Sequence, residues 1–393
     1  MTDANPVPSP LTWRTWAEID LDALCKNWRA LLRLYGENEK KTFFAVLKAN
    51  AYGHGDRACA EVLLQEGCTA FAVATPEEAI GIRKTADKVG KDPEILILGD
   101  TPTHLLPTVA EHRLTLSLLS PTHAARIADA ARVYGVTLKV HFAIDTGMNR
   151  VGFLARRTEE IETSVTQIVR FCALPCFLPT GVYSHLQNAA DPTAATAQAV
   201  LFDTLRKAIR SRIKVPLCFH LCNTAGAYTL PEHHMNGIRL GIHLYGVEEG
   251  KPLPINLLPV MRLKSRVIHL HSLCRGDAVG YGGEFVAFGT REIATLPIGY
   301  ADGLLRACTS AEVLIQTHTG CKKAHLVGRI CMDSCMLDVT DLGVSLSDTV
   351  TLFGNTPEQI LHLAHHAGTI PYELLCAVSP RVPKLLFGGA LSK

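Results

Sequence analysis

Five short stretches of the 393-residue chain set polar or cationic side chains directly behind apolar runs. Phe43-Phe44-Ala45-Val46-Leu47 stops at Lys48. A second run ends at Asp145, just ahead of Thr146, Gly147 and Arg150. A third closes on Tyr183-Ser184-His185, and a fourth on His220-Leu221-Cys222-Asn223-Thr224. The last carries Arg239 and then Gly241-Ile242. A lysine at the end of an apolar run is costly unless it is paired, solvated or covalently used. Taken singly, each residue has a plain structural reading. A lysine there is usually a solvated rim charge, Arg239 an ion-pair partner, and His185 or His220 a satisfied core histidine. Taken together, one lysine, two arginines, two histidines and backbone glycines suit an anionic, phosphate-bearing ligand.

The elements that must position them come next. Strands are expected at Thr42–Leu47, Thr69–Ala74, Glu94–Leu98, Arg113–Leu118, Thr137–Ile144, Gly181–Ser184, Leu217–Cys222 and Gly237–Ile242. Helix-like stretches such as Asp56–Glu66 and Pro76–Val89 lie between them. Long crossovers imply parallel pairing, and eight such units match a (β/α)8 TIM-type barrel, although a doubly wound open sheet has the same local pattern. In such a barrel the chemistry gathers at the C-terminal ends of the strands, where the five polar stretches fall. Beyond about residue 257 short β-rich runs follow one another, and only Thr356–Gly368 reads as helix. The expected organisation is a loose tail over residues 1–11, the barrel over 12–257 and a mostly β domain over 258–393.

Composition narrows the function. Hydrophobic residues make up 47% and charged residues 19%, as in a folded globular protein, and a formal net charge of +2 without a basic block gives no reason to expect nucleic acid. No run of about eighteen apolar residues suggests a membrane span. Thirteen cysteines, odd in number and without a C-x-x-C pair, read as reduced, mostly buried thiols of a cytoplasmic chain. His362, His365 and His366 share one helical face but lack a carboxylate or cysteine partner, so a solvated face is the better reading than a metal site.

Around Lys48 the segment Ala45-Val46-Leu47-Lys48-Ala49-Asn50-Ala51-Tyr52-Gly53-His54-Gly55 resembles the cofactor-lysine segment of alanine racemases. Four further segments agree in order: Asp145–Arg150, Arg239–Ile242, Leu296–Gly303 and Val327–Asp333. The likeness runs from about residue 11 to residue 385. It implies a barrel followed by a β domain, pyridoxal 5'-phosphate as cofactor, L- and D-alanine as substrates, and a homodimer whose sites lie between one barrel and the partner's β domain. Lys48 would carry the cofactor, and Tyr52, Asn223, Thr224, Gly241, Ile242 and Tyr372 would hold its phosphate end. Arg239 would face the pyridine nitrogen, supported by His220, with His185 against the ring. Tyr281 would be the second catalytic base, reaching in from the partner subunit. Arg150 and Met332 would bind substrate, and Tyr300 and Asp333 would line the entrance.

One departure stands out. Many relatives carry a carbamate-modified lysine two residues before the Asp-Thr-Gly aspartate, and this chain has Ala143 there; Asn149 replaces the usual glycine. The anion that would neutralise Arg150 is then missing. Chloride or another anion is expected to fill the gap, or Arg150 to bond Asn149 or a carbonyl. The same change opens the alternative of a wider racemase, acting for example on serine; a non-catalytic cofactor-binding protein is a separate alternative, against which Tyr281 and the Gly299–Gly303 segment argue.

Overall fold

The computed structural model describes residues 13–36, 41–248 and 251–389; the expected tail over residues 1–11 lies outside them. The chain opens with strand β1 (Thr15–Asp20) and then builds the barrel. Its staves are β2 (Thr42–Val46), β3 (Ala70–Val73), β4 (Glu94–Ile97), β5 (Thr115–Leu118), β6 (Leu138–Asp145), then, past the two-residue β7 (Phe153–Leu154), β8 (Phe177–Tyr183), β9 (Cys218–His220) and β10 (Gly237–Leu240). All eight pair in parallel, and β5 pairs with β6 to close the ring. Parallel closure is the outcome of helical crossovers that bury each stave on both sides. Every residue of β3 and β5 is buried.

The crossover helices are punctuated by their sequence. Thr75 caps Pro76–Lys88 with Glu78 completing a capping box, and Ser120 and Asp191 cap the helices that begin at Pro121 and Pro192. These caps fix where each helix starts, and so where the preceding strand must deliver its last residues.

The remaining strands form a nine-stranded sheet: β11 (Met261–Arg266), β12 (His269–Leu273), β15 (Arg291–Leu296), β16 (Glu312–Thr317), β17 (Gly320–Val327), β18 (Cys335–Asp338), β19 (Thr349–Phe353) and β20 (Lys384–Phe387), joined by β1. A separate hairpin, β13 (Ala278–Val279) and β14 (Phe285–Val286), projects beside it. Two differences from expectation appear. A second helix, Pro371–Ala377, follows the expected one. And β1, expected within the barrel domain, pairs antiparallel with β11 and parallel with β20 in the second sheet. Arg14 locks that arrangement, donating to both carboxylate oxygens of fully buried Asp302 (2.9 and 2.6 Å) and to the Pro297 carbonyl (2.8 Å). One apolar core runs from the barrel helices into the second sheet, and a small satellite core of Leu273, Val279, Ala287, Ile293 and Val327 sits under the hairpin.

Candidate active site

A cavity of about 500 Å³ opens at the C-terminal rim of the barrel. Lys48, Tyr52, Arg150, His185, Asn223, Thr224, Arg239, Gly241, Ile242 and Tyr372 all line it. Residues from both ends of the sequence therefore converge where the strand ends predicted.

Lys48 follows β2 directly. Behind it the backbone takes a course that no residue pattern signals: Ala49, Asn50, Ala51 and Tyr52 all have φ between 52° and 54°, a full left-handed turn made of non-glycine residues. Such a turn costs roughly 1–2 kcal/mol per residue, so it persists only where neighbours hold it. Glu78 accepts from the Ala49 N–H at 2.6 Å, and from Ala74 N–H at 2.8 Å. Asn50 accepts from Asp56 N–H at 2.9 Å. Gly53, at φ 82°, ends the turn so close to the helix Pro371–Ala377 that an added Cβ would lie 2.4 Å from the Leu375 carbonyl oxygen. The left-handed turn brings Lys48 and Tyr52 into the same cavity. Burial, Arg150 and Arg239 all hold the Lys48 amine below the ordinary lysine range, which raises the fraction of neutral, nucleophilic amine.

Opposite the lysine lies a cradle. Thr224 Oγ1 accepts from Gly241 N–H at 2.7 Å, and a Cβ on Gly241 would sit 2.9 Å from the Tyr52 hydroxyl oxygen. Asn223 caps the short helix Thr224–Thr229, and Ile242 opens a helical turn. Two hydroxyls, a glycine with nothing in the way and two helix starts fit a phosphate group. Tyr372 packs its ring 5.8 Å from that of Tyr52.

Arg239 is buried at the floor. Its guanidinium donates to the carbonyls of Ser184 (2.7 Å), Leu221 (2.9 Å) and His220 (3.0 Å), to His220 Nδ1 (2.8 Å), and to His185 Nδ1 (3.2 Å). Burial pushes its pKa down to about 10, which leaves it cationic near neutrality. His185 is pushed down to about 3 by burial and by Arg239, Arg150 and Lys48, so its ring is neutral. His220 is clamped between Phe44 and Tyr183, with ring centroids 4.7 and 5.2 Å away. Its Nε2 meets His141, which in turn meets Glu94. Sequence reasoning missed both; the signal was the alternation His141, Ala143, Asp145, which points a histidine into the barrel.

Arg150 lines the cavity beside Ala143, and among the described residues its guanidinium has no hydrogen-bond or ion-pair partner. The expectation that it bonds Asn149 or a carbonyl is corrected: Asn149 accepts from Arg156 at 3.3 Å and donates to the Gly147 carbonyl at 3.2 Å. Asp145 shapes this loop, accepting from Gly147 and Asn149 N–H groups at 2.9 and 3.0 Å.

Besides His220, which lies behind Arg239, four expected site residues do not line the cavity of this chain. Tyr281, 71% exposed, sits at the tip of the β13–β14 hairpin beside Glu284, which pairs with Arg329 at 2.6 Å. Tyr300 and Met332 are also exposed, and Asp333 accepts from Arg381 at 2.8 Å. All four belong to the second domain. His366, on the three-histidine face, bonds the Thr309 carbonyl.

A closed parallel barrel with a half-buried lysine, an anion-sized cradle and a buried arginine at one rim, fused to a mostly antiparallel sheet, fits a two-domain enzyme that takes a phosphate-bearing cofactor. The family is identified by comparison. Residues 19–249 match the alanine racemase N-terminal domain and residues 260–386 the alanine racemase C-terminal domain. The chain belongs to the alanine racemase family, whose members are pyridoxal-phosphate-dependent isomerases. It is 36% identical over 384 residues to alanine racemase 1 of Clostridium acetobutylicum, covering 94% of each chain, and 36% identical over 380 residues to the alanine racemase of Methanococcus maripaludis, covering 94% of this chain and 98% of that one. Among solved structures, the alanine racemase of Streptomyces coelicolor A3(2) superposes with a TM-score of 0.87 at 31% identity, covering 95% of this chain and 98% of that one.

Proposed function

We propose that the protein racemises alanine, interconverting the L and D forms, as a cytoplasmic enzyme supplying D-alanine for peptidoglycan. The observation that carries this reading is Lys48: a half-buried amine held below its ordinary range, in one cavity with a cradle suited to phosphate and with Arg239 at its floor. Pyridoxal 5'-phosphate, when bound, supplies an aldehyde that condenses with amines and a ring that takes up the electron pair left when the α-proton departs.

The chain's own groups do the rest. Tyr52, Asn223, Thr224, Gly241, Ile242 and Tyr372 would hold the phosphate end. Arg239, an obligate donor, would give a hydrogen bond to the pyridine nitrogen without protonating it, and His185 would lie against the ring. Lys48 removes or returns the α-proton on one face. Tyr281 acts on the other face. In this chain it stands exposed on a hairpin, flanked by exposed Val286 and Phe288, which supports its delivery across a dimer interface to the partner's cavity. Arg150 holds the substrate carboxylate, with Met332, Tyr300 and Asp333 at the entrance. Chloride fills the space beside Arg150 that Ala143 leaves.

A second reading has one observation in its favour. Past Ala143 the cavity reaches Leu98, Gly99, Asp100 and Leu119 at the ends of β4 and β5, which leaves room for a substrate larger than alanine, such as serine. The test is α-proton exchange in deuterated water with pyridoxal phosphate and each amino acid, following the enantiomers together. Deuterium entering alanine as its mirror image appears is the expected result. Exchange with serine alone favours the second reading, and no exchange with any amino acid leaves a cofactor-binding protein. Lys48→Ala should lose the bound cofactor's visible absorbance, and Tyr281→Phe should lower turnover by about 10²- to 10⁴-fold with the cofactor retained.

A further inference from the structure

The hydrogen bonds that hold Arg239 do not stop at His220; they run down the inside of the barrel to its opposite mouth. Arginine has only donors. It gives an N–H to His220 Nδ1 at 2.8 Å. A ring nitrogen that accepts there leaves the proton of the neutral ring on Nε2. His220 Nε2 lies 3.0 Å from His141 Nδ1, which must then accept, so the proton of His141 sits on its own Nε2. That nitrogen lies 3.0 Å from Glu94 Oε1, an acceptor. The same oxygen takes the Thr115 and Thr180 hydroxyls, each at 3.3 Å. Each link has one allowed direction, and the two ends set it: a donor-only cation above and an acceptor-only anion below.

Both histidines have no solvent exposure at all. Charging His220 would place a second cation against Arg239 in the barrel core, where Glu94 reaches it only through His141. Among the described residues Arg239 hydrogen-bonds only to carbonyls and imidazoles, so Glu94 is the carboxylate at the end of its hydrogen-bond chain. Glu94 opens β4, at the N-terminal end of the staves, far from the rim where chemistry gathers.

We propose that Glu94, acting through His141, is a positioning residue for the reaction: it fixes the tautomer of His220 and thereby the acceptor that orients the Arg239 guanidinium under the cofactor. The Arg239 role it serves rests on the function proposed above; the proton positions do not. An isosteric amide at this position keeps an oxygen acceptor for His141 and both threonines, whereas an aliphatic side chain removes it. The two substitutions therefore separate acceptor from mere packing.

Neutron diffraction from crystals of the holoenzyme in deuterated water locates the protons directly. Deuterons on Nε2 of both His141 and His220 are expected; a deuteron on Nδ1 of either ring, or on both nitrogens of one, would overturn the proposal. In solution, Glu94→Leu should lower kcat about tenfold or more, the scale on which outer partners of a liganding group act, with the circular dichroism unchanged. Glu94→Gln should stay within about twofold of the parent, because it preserves the acceptor. Equal kcat in the parent and in Glu94→Leu would sink the positioning role. Should the parent protein fail to exchange the α-proton of any amino acid, the functional reading falls, while the neutron result still decides the chain.

Discussion

Arg150 and Ala143 form a mismatched pair: among the described residues the guanidinium has no partner, and a methyl group shares the cavity where the resemblance leads one to expect a fixed anion. An unpaired cation in a partly closed site attracts whatever small anion is in solution. Replacing chloride by a bulky anion such as gluconate should therefore raise the KM for alanine a few-fold while kcat holds, in steady-state assays across a chloride titration. Ala143→Glu would attach a carboxylate to the same space, and its KM should no longer respond to chloride. A chloride-independent KM in the parent protein would count against an anion at Arg150. The neighbouring Asn149 does not take over this work, because its amide is occupied by Arg156 and Gly147.

At the scale of elements, the left-handed turn after β2 is the strained part of the site. Ala49 is exposed, so a substitution there reads backbone strain with little change in packing. Ala49→Val puts a β-branched residue at φ 53° and should cost about 1–2 kcal/mol of stability, measured by denaturant unfolding, and should weaken cofactor retention because Lys48 leads into the turn. Ala49→Gly should be close to neutral. This turn also marks where the sequence stops being readable. The eight staves were legible because each is an apolar, β-branched or aromatic run between helical stretches, and the polar residues behind them named the cavity wall. Nothing in Ala-Asn-Ala-Tyr signals four left-handed residues; the conformation is imposed by Glu78, by the short approach at Gly53 and by the helix packed against it. That helix, Pro371–Ala377, is too short to show a period. Strand β1 was hidden for another reason: its partners, Ser265 and Lys384 among others, lie more than two hundred residues away.

For the whole molecule, two behaviours follow. A partner-supplied Tyr281 makes each site a composite, so mixing inactive Lys48→Ala and Tyr281→Phe chains by co-expression should restore roughly a quarter of the parent activity. Sites built within one chain would restore none. The second behaviour concerns acid. His54 is fully buried, its Nδ1 bonded to the Ala51 and Tyr52 carbonyls and its ring stacked on Tyr245, and burial lowers its pKa from 6.5 to about 4. The unfolded chain therefore binds the proton more readily than the folded one. The stability from its neutral ring is complete above pH 6.5 and is lost as the pH falls toward 4, on the order of 3 kcal/mol. Unfolding free energies at pH 7.5 and 4.5 should show that drop, and His54→Gln, which does not titrate, should shrink it.

The strand that begins the described chain has a further consequence, in the timing of synthesis. A ribosome releases β1 before any barrel strand, yet one of its neighbours, β11, emerges only after the whole barrel, and the other, β20, only after the rest of the second sheet. Throughout translation that strand waits with both edges unpaired, the state most open to capture by a neighbouring nascent chain. A chain cut short after the barrel keeps its staves but leaves this segment, and Arg14 with it, without the Asp302 that would anchor it. Such fragments should accumulate as aggregates, and the full-length protein should depend on holding its first strand in reserve until the last one arrives.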